Sequence, residues 1–264
     1  MNNLKEMLLR GLAPGEMEYF YQPIYDVAQG AVTKAEVLLR VADGKGGYFD
    51  TETLITQAEQ LGHICDLDKN AFRHACQVQR EFRAHGVTEL GVNLSPAACH
   101  DPYLIPEAVR LLRETGGDPG GICVEITEIY KLLDEQVFYD AVQALYGLGL
   151  KVAIDDFGSG YSSIRRMLSI PFHSLKLDKS LVWGMDKQPL ARSLIGEIIQ
   201  FAQKNGITVV AEGIETAEQA CILSGLGCHY LQGYFYSRPV PKEQFLALLD
   251  AQPPAGEKRL VGVG

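Results

Sequence analysis

The chain is short of positive charge. It carries 24 lysines and arginines against 33 aspartates and glutamates, a net charge of -9. Binding to nucleic acid backbones needs a positive field that replaces counterions, so a DNA or RNA duplex is a poor partner. If the chain takes a phosphate ester, the positive charge must come from elsewhere, and a metal ion is the simplest source. Long apolar runs are also lacking. No run approaches the roughly 18 apolar residues of a membrane span, so no spanning segment is expected. The opening residues, MNNLKEMLLRGLAPGEMEY, hold an apolar patch of Met7 to Leu9 alone, too short for the core of a secretion signal. Cysteine is sparse, with 6 in 264 residues, and none stands in a CxxC or with zinc-site spacing. They read as reduced thiols of a cytoplasmic protein. Apolar residues at 47% and charged residues at 22% exclude a disordered, collagen-like or disulfide-dense chain.

What is present is a repeated alternation of β-rich runs and amphipathic stretches. The runs are 18–27, 35–41, 89–95, 121–128, 151–158, 174–180, 208–215 and 230–237. Between them lie helical patterns such as DEQVFYDAVQALYGLGL and QPLARSLIGEIIQFAQKNG, the second ending on an Asn-Gly stop. Strands alternating with helices imply parallel pairing through crossover helices. Eight such units in about 240 residues predict an α/β fold, a TIM-like (β/α)8 barrel, with a doubly wound sheet as the alternative. Met7, Leu8 and Leu9 are then expected to cap the barrel bottom. The Pro/Gly-rich end, AQPPAGEKRLVGVG, reads as a flexible tail.

Strand parity places the polar residues. Alternate side chains face opposite sides of a strand. In CVEIT, Val124 and Ile126 flank Glu125, and in VAIDD, Val152 and Ile154 oppose Asp155. The same reading sets Val37 against Glu36, Val92 against Asn93, Leu175 and Leu177 against Lys176, and Val209 against Glu212. With the apolar face under the helices, Glu36, Asn93, Glu125, Asp155, Lys176 and Glu212 point to the axis near the strand C-termini, where barrel enzymes keep their active sites. One inward carboxylate is ordinarily a salt-bridged structural residue. A converging set is different, because each unpaired buried carboxylate costs several kcal/mol. Lys176 and Arg40 are too few to neutralise it. Hard divalent cations suit Glu, Asn and Asp oxygens, and the adjacent Asp155 and Asp156 suit a pair of ions of the kind that activates water for in-line phosphoryl displacement. The segment DDFGSGYSS (155–163) adds a glycine-rich turn, but no GKS or GKT follows it and the dinucleotide fingerprint fails.

These segments resemble the EAL domains, bacterial phosphodiesterases specific for cyclic di-GMP. The matching pieces are YQPI, AEVLLR, VNLSP, EITE, DDFGSGYSS, LKLDKS, AEGIE and LQGYFYSRP, in family order over roughly residues 18–250. The resemblance divides the chain into a short extension (1–17), an EAL phosphodiesterase domain (18–250) and a tail (251–264). It implies a barrel whose first strand is antiparallel, and hydrolysis of cyclic di-GMP to linear pGpG with two magnesium or manganese ions. It implies Glu36, Asn93, Glu125 and Asp155 at the first ion, and Asp155, Asp156 and Glu212 at the second, with Glu212 acting as ligand or base. Lys176 positions water or stabilises developing charge, and Asp178 supports it. Gln22, Arg40 and Gln232 line the substrate site, Arg40 on phosphate. Glu128 holds the loop 156–163.

Two residues depart from the family. Val37 replaces the alanine of the signature on the outward face, and Val41 replaces an aromatic, which puts substrate affinity in question. The six histidines match no catalytic position, and Trp183 reads as a packing residue. The competing function is a catalytically weak cyclic di-GMP receptor or protein-interaction module. Retention of the acidic set and Lys176 favours the enzyme. A homodimer is the expected assembly. Residues 1–17 are too few for a sensor domain, which leaves constitutive activity, control by dimerisation, or a longer parent protein.

Overall fold

Only four residues separate the first two strands, and that spacing dictates their geometry. A connection so short joins antiparallel neighbours, whereas parallel strands need a crossover of a dozen residues or more. In the computed structural model, which describes residues 2–13, 15–127, 134–159, 169–185 and 188–252, β1 (Met17–Asp26) and β2 (Ala31–Val41) form this hairpin. Asp26 Oδ1 accepts from the Ala28 and Gln29 N–H groups, both at 2.9 Å, and Gly30 closes the turn at φ 69°. The remaining barrel strands are β3 (Glu89–Leu94), β4 (Ile122–Thr127), β5 (Lys151–Phe157), β6 (Ser174–Leu177), β7 (Thr208–Ala211) and β8 (Tyr230–Gln232). They run in order from β2 to β8, all parallel, and β1 closes the barrel antiparallel to both β8 and β2. The expected TIM-like barrel and its inverted first strand are both present. A two-residue strand, β9 (Val240–Pro241), adds to the edge of β1.

Helices cover the outer face. They are α1 (Asn2–Leu9), α2 (Thr51–Leu61), α3 (Ile64–Ala84), α4 (Pro96–Cys99), α5 (Leu104–Thr115), α6 (Glu135–Gly147), α7 (Lys179–Gly184), α8 (Pro189–Lys204), α9 (Ala217–Gly225) and α10 (Lys242–Asp250). The outward strand residues Val37, Val92, Val124, Val152, Leu175 and Val209 join Phe82, Phe138 and Ile199 of the helices in the main core. Val37 is therefore absorbed by packing, as its face requires.

The opening helix sits elsewhere than expected. Leu4, Met7 and Leu8 pack with Val41, Leu54, Ala58, Ile64 and Leu67 in a second core. Val41 ends β2, and Leu54 belongs to the helix that follows it. The patch thus lies beside the C-terminal end of β2, not under the barrel bottom, because α2 exposes an apolar face there. Val41 is buried in this cluster, so the replaced aromatic is a packing position. The expected tail beyond Gln252 lies outside the described residues.

The barrel interior also holds an ion group that strand parity alone did not single out. Lys34 Nζ lies 2.8 Å from Glu89 Oε1, and Lys151 Nζ lies 2.6 Å from Glu89 Oε2. Lys34 further sits 4.0 Å over the Tyr230 ring. The two cations share one buried carboxylate near the strand N-termini.

One buried acid fixes where β3 releases the chain. Asp68 of α3 accepts hydrogen bonds from Ser95 N–H (3.0 Å) and Ser95 Oγ–H (2.5 Å). Burial pushes its carboxyl up to about 6, against these hydrogen bonds. The folded chain therefore retains a proton there between about pH 4 and 6 that the unfolded chain has released, and this stabilisation is lost as pH rises through the window. Asp68→Asn keeps an acceptor oxygen and removes the charge. Urea unfolding should find the variant near wild type at about pH 4 and more stable by about 2–3 kcal/mol at about pH 8. A difference that does not change with pH contradicts this account of Asp68.

Candidate active site

The eight barrel strands each deliver one polar side chain to the same end. These are Gln22 from β1, Glu36 from β2, Asn93 from β3, Glu125 from β4, Asp155 from β5, Lys176 from β6, Glu212 immediately past β7 and Gln232 from β8. The register sets Gln22 opposite Glu36 and Asn93 opposite Glu125. Over them opens a cleft of about 710 Å³ lined by Gln22, Glu36, Asp155, Asp156, Lys176, Glu212 and Gln232, a volume suited to a small-molecule ligand.

Lys176 is the centre of the arrangement. Its Nζ lies 2.6 Å from Glu125, 2.7 Å from Glu212, 3.2 Å from Asp155 and 3.6 Å from Glu36. Burial would release its proton, but the four carboxylates outweigh burial and hold the ammonium firmly charged. One ammonium cannot satisfy four carboxylates, and their titration divides accordingly. Burial raises Glu36, but Lys176 and hydrogen bonds from Gln232 and Asn93 bring it below the ordinary glutamate range. Burial raises Glu125 well above that range, with the charges of Glu36 and Asp155 adding to it against Lys176. Glu212 is pushed up to about 8 by burial, with Asp155 and Glu36 adding their repulsion against Lys176. Asp156 is raised by burial and by the charges of Asp155 and Asp178. It is the one non-glycine among the described residues with positive φ, at 54°, a conformation Asp tolerates better than most.

The donor set fits divalent cations. Carboxylate oxygens of Asp155, Asp156 and Glu212 all lie within 4.8 Å of one another. Glu36 Oε1 accepts from Asn93 Nδ2 at 2.8 Å, which ties the Asn93 amide group to the carboxylate. Gln232 Nε2 donates to Glu36 (2.7 Å) and Gln22 (3.1 Å), while its own Oε1 is buried without a hydrogen-bond partner among the described residues. Hard oxygen donors, surplus negative charge and an unpaired amide oxygen are what a hard cation needs.

Two residues expected at the site, Arg40 and Asp178, stand apart from the cluster. Arg40 donates to Leu39 O (2.9 Å) and Thr51 Oγ1 (3.2 Å) and lines a neighbouring cavity of about 280 Å³. Asp178 caps α7, accepting from the Ser180 N–H at 2.9 Å. Glu128, and the loop it was expected to hold beyond Ser159, lie outside the described residues. The sequence reading also missed a glycine. A Cβ on Gly91 would sit 2.0 Å from Glu125 Oε1. Gly91 therefore leaves the space in which Glu125 reaches Lys176. A glycine inside a strand signals close approach, so ELGVNL carried the clue.

Comparison with known proteins agrees with this geometry. The family model of the EAL domain matches residues 5–239. This chain belongs to the EAL domain family. RocR of Pseudomonas aeruginosa, named a cyclic di-GMP phosphodiesterase, is 32% identical over 240 residues, which cover 90% of this EAL domain chain and 61% of RocR. The signaling protein YkoW of Bacillus subtilis is 32% identical over 251 residues, covering 94% of this chain and 31% of YkoW. This chain spans between 29% and 36% of the length of four curated relatives, YkoW among them. Among solved structures, the PaMucR phosphodiesterase in complex with c-di-GMP superposes with a TM-score of 0.83 at 27% identity, covering 92% of this chain and 99% of that one. The EAL enzyme Bd1971 bound to cAMP and cyclic di-GMP gives 0.86 at 26% identity, covering 94% and 68%.

Gly91 supplies a test of how this EAL site is built. Glu125 is 3% exposed, and a methyl at position 91 would meet its carboxylate at 2.0 Å. Gly91→Ala should weaken Mn²⁺ binding, read by calorimetry, by about 10- to 100-fold, the usual effect of disturbing the groups that orient metal ligands. Unchanged Mn²⁺ affinity would show that Glu125 takes no part in holding metal.

Proposed function

We propose that this EAL domain is a metal-dependent phosphodiesterase that hydrolyses cyclic di-GMP to linear pGpG and so lowers a bacterial second messenger. The observation that carries the reading is the set of four carboxylates around buried Lys176, of which Glu36, Asp155 and Glu212 line one cleft with it. The family membership, and relatives named for this activity, support the choice of substrate. A receptor has no use for so many converging carboxylates, each costly to bury.

Glu36, Asn93, Glu125 and Asp155 would hold one magnesium or manganese ion, and Asp155, Asp156 and Glu212 a second. When bound, the two ions supply activation of water and neutralise charge on the transferring phosphoryl group. The chain's own groups do the rest. Lys176 offers a fixed ammonium at the floor of the cleft, where charge develops during in-line attack. Gln22 and Gln232, joined by their 3.1 Å hydrogen bond, present amides to the sugar-phosphate ring. Arg40 stands at the cleft's neighbouring cavity and reaches an outer phosphate or base edge rather than the reacting centre. Asp178 acts at a distance, capping α7 and adding negative charge beside Asp156. Glu128 is the remaining member of the proposed set, as the anchor of loop 156–163.

A cytoplasmic homodimer completes the proposal. All six cysteines are free thiols, which suits a reducing compartment. Helix α8 exposes Leu190, Leu194 and Phe201, an apolar stripe that a second copy would cover.

Product analysis with cyclic di-GMP tests the reading. Linear pGpG should form with Mg²⁺ or Mn²⁺ and not in excess EDTA. Glu36→Gln should stay folded and lose turnover, and Lys176→Ala should bind substrate while losing about 10²–10³ in kcat. Undiminished hydrolysis in EDTA would overturn the metal-dependent mechanism. Tight binding without hydrolysis under every metal would make the domain a receptor. Hydrolysis of bis-p-nitrophenyl phosphate but not of cyclic di-GMP would assign it another phosphodiester.

A further inference from the structure

Trp183 is the chain's single tryptophan, and the fold does not bury it. It lies on α7, the helix that leaves β6, and lines the same cleft as Lys176 and Glu212. Its indole N–H donates to Gly213 O at 2.9 Å. Gly213 has a φ of 68°, and a methyl there would lie 2.4 Å from Lys179 Cβ and 3.3 Å from Trp183 Nε1. The nitrogen edge is thus pinned against the segment that carries Glu212. That segment is itself tied to β6, since Glu212 N–H donates to Leu177 O at 3.1 Å. The residue as a whole remains 43% exposed. A tryptophan present for packing alone would bury this surface, which is the largest apolar area any side chain offers. Lys179, one turn earlier, holds its Nζ 5.6 Å from the ring centroid and also lines the cleft.

A flat ring pinned by one edge, part-exposed on the cleft, with an ammonium over it, is suited to one ligand chemistry. A nucleobase stacks on such a ring whatever its identity. An adjacent lysine distinguishes the base, because guanine presents two acceptors, O6 and N7, where adenine presents an acceptor and an amino donor. We propose that Trp183 is the stacking wall for one guanine of the nucleotide substrate and that Lys179 selects guanine over adenine at that position. The proposal rests on the reading of the cleft as a cyclic di-GMP phosphodiesterase site. Neither residue is among the groups proposed to act on the reacting phosphate, so their contribution falls on binding and specificity.

Because Trp183 is the sole tryptophan, intrinsic fluorescence of the whole chain reports on it alone. Cyclic di-GMP added with Ca²⁺ in place of Mg²⁺ should quench that fluorescence saturably, and cyclic di-AMP should need about tenfold more for the same effect, one good base contact's worth. In steady-state assays with Mg²⁺, Trp183→Ala should raise KM about 10- to 100-fold with kcat changed by less than about threefold, a loss of uniform binding. Trp183→Phe keeps a flat ring and loses the N–H, so its KM should stay within about threefold of wild type. Lys179→Met should raise KM for cyclic di-GMP and narrow its preference over cyclic di-AMP. Mn²⁺ affinity should be the same in all three variants. A wild-type KM in Trp183→Ala, or hydrolysis of cyclic di-GMP with no fluorescence change on binding, would overturn this proposal and leave the phosphodiesterase reading intact. Trp183→Phe as impaired as Trp183→Ala, with weakened Mn²⁺ binding, would overturn it in favour of a role through the Gly213 hydrogen bond. Failure of the wild type to bind or hydrolyse cyclic di-GMP would overturn both.

Discussion

One ammonium surrounded by four carboxylates organises this barrel. Lys176 touches Glu36, Glu125, Asp155 and Glu212 from β2, β4, β5 and the end of β7. Removing it would leave carboxylates from four segments facing one another at low dielectric, where breaking a buried pair costs about 3–5 kcal/mol. Removing the carboxylates would strand a buried ammonium. The cluster thus ties strands far apart in sequence to one point. It is also incomplete as charge pairing, since Glu125 and Glu212 are both held above the ordinary glutamate range. A fold that needed neutrality alone would use fewer acids. The unspent negative charge is the structural reason to expect cations there.

Much of the molecule positions that cluster. Gly91 clears the space for Glu125. The hairpin between β1 and β2 brings Gln22 opposite Glu36, and closure of β8 on β1 brings Gln232 within 2.7 Å of Glu36. Asp68 fixes Ser95, two residues beyond Asn93. The separate ion group of Lys34, Glu89 and Lys151 fills the interior below. Charge is therefore layered along the barrel axis. The lower layer has two cations to one carboxylate, and the upper layer has the opposite balance.

The sequence made the strands, their order and the inward acids legible for a simple reason. Parity in CVEIT or VAIDD does not depend on tertiary detail, so the sequence alone assigns Glu125 and Asp155 to the axis. The inverted first strand was available only through family resemblance, because the start of β2 at Ala31 was hidden in an unremarkable AVTK. Arg40 shares the face of Glu36 by parity, yet four residues further along β2 it has passed the cleft and lines the next cavity. Parity gives the face and not the height. The position of α1 depended on which helix exposed an apolar side, and Asp68 and Trp183 on contacts between distant segments. Such tertiary contacts leave little trace in local pattern.

The proposed chemistry thus rests on an electrostatic deficit built into the fold, which ions from outside would meet. The most direct measurement of that claim is the melting temperature of the nucleotide-free protein against Mn²⁺ concentration at constant ionic strength. A ligand that binds the folded state alone stabilises it by RT ln(1 + [L]/Kd). The account predicts a melting temperature that climbs with the logarithm of Mn²⁺ once the sites begin to fill, and does not climb when KCl supplies the same ionic strength. A melting temperature indifferent to Mn²⁺ would show that Lys176 balances the carboxylates by itself, and would contradict the account.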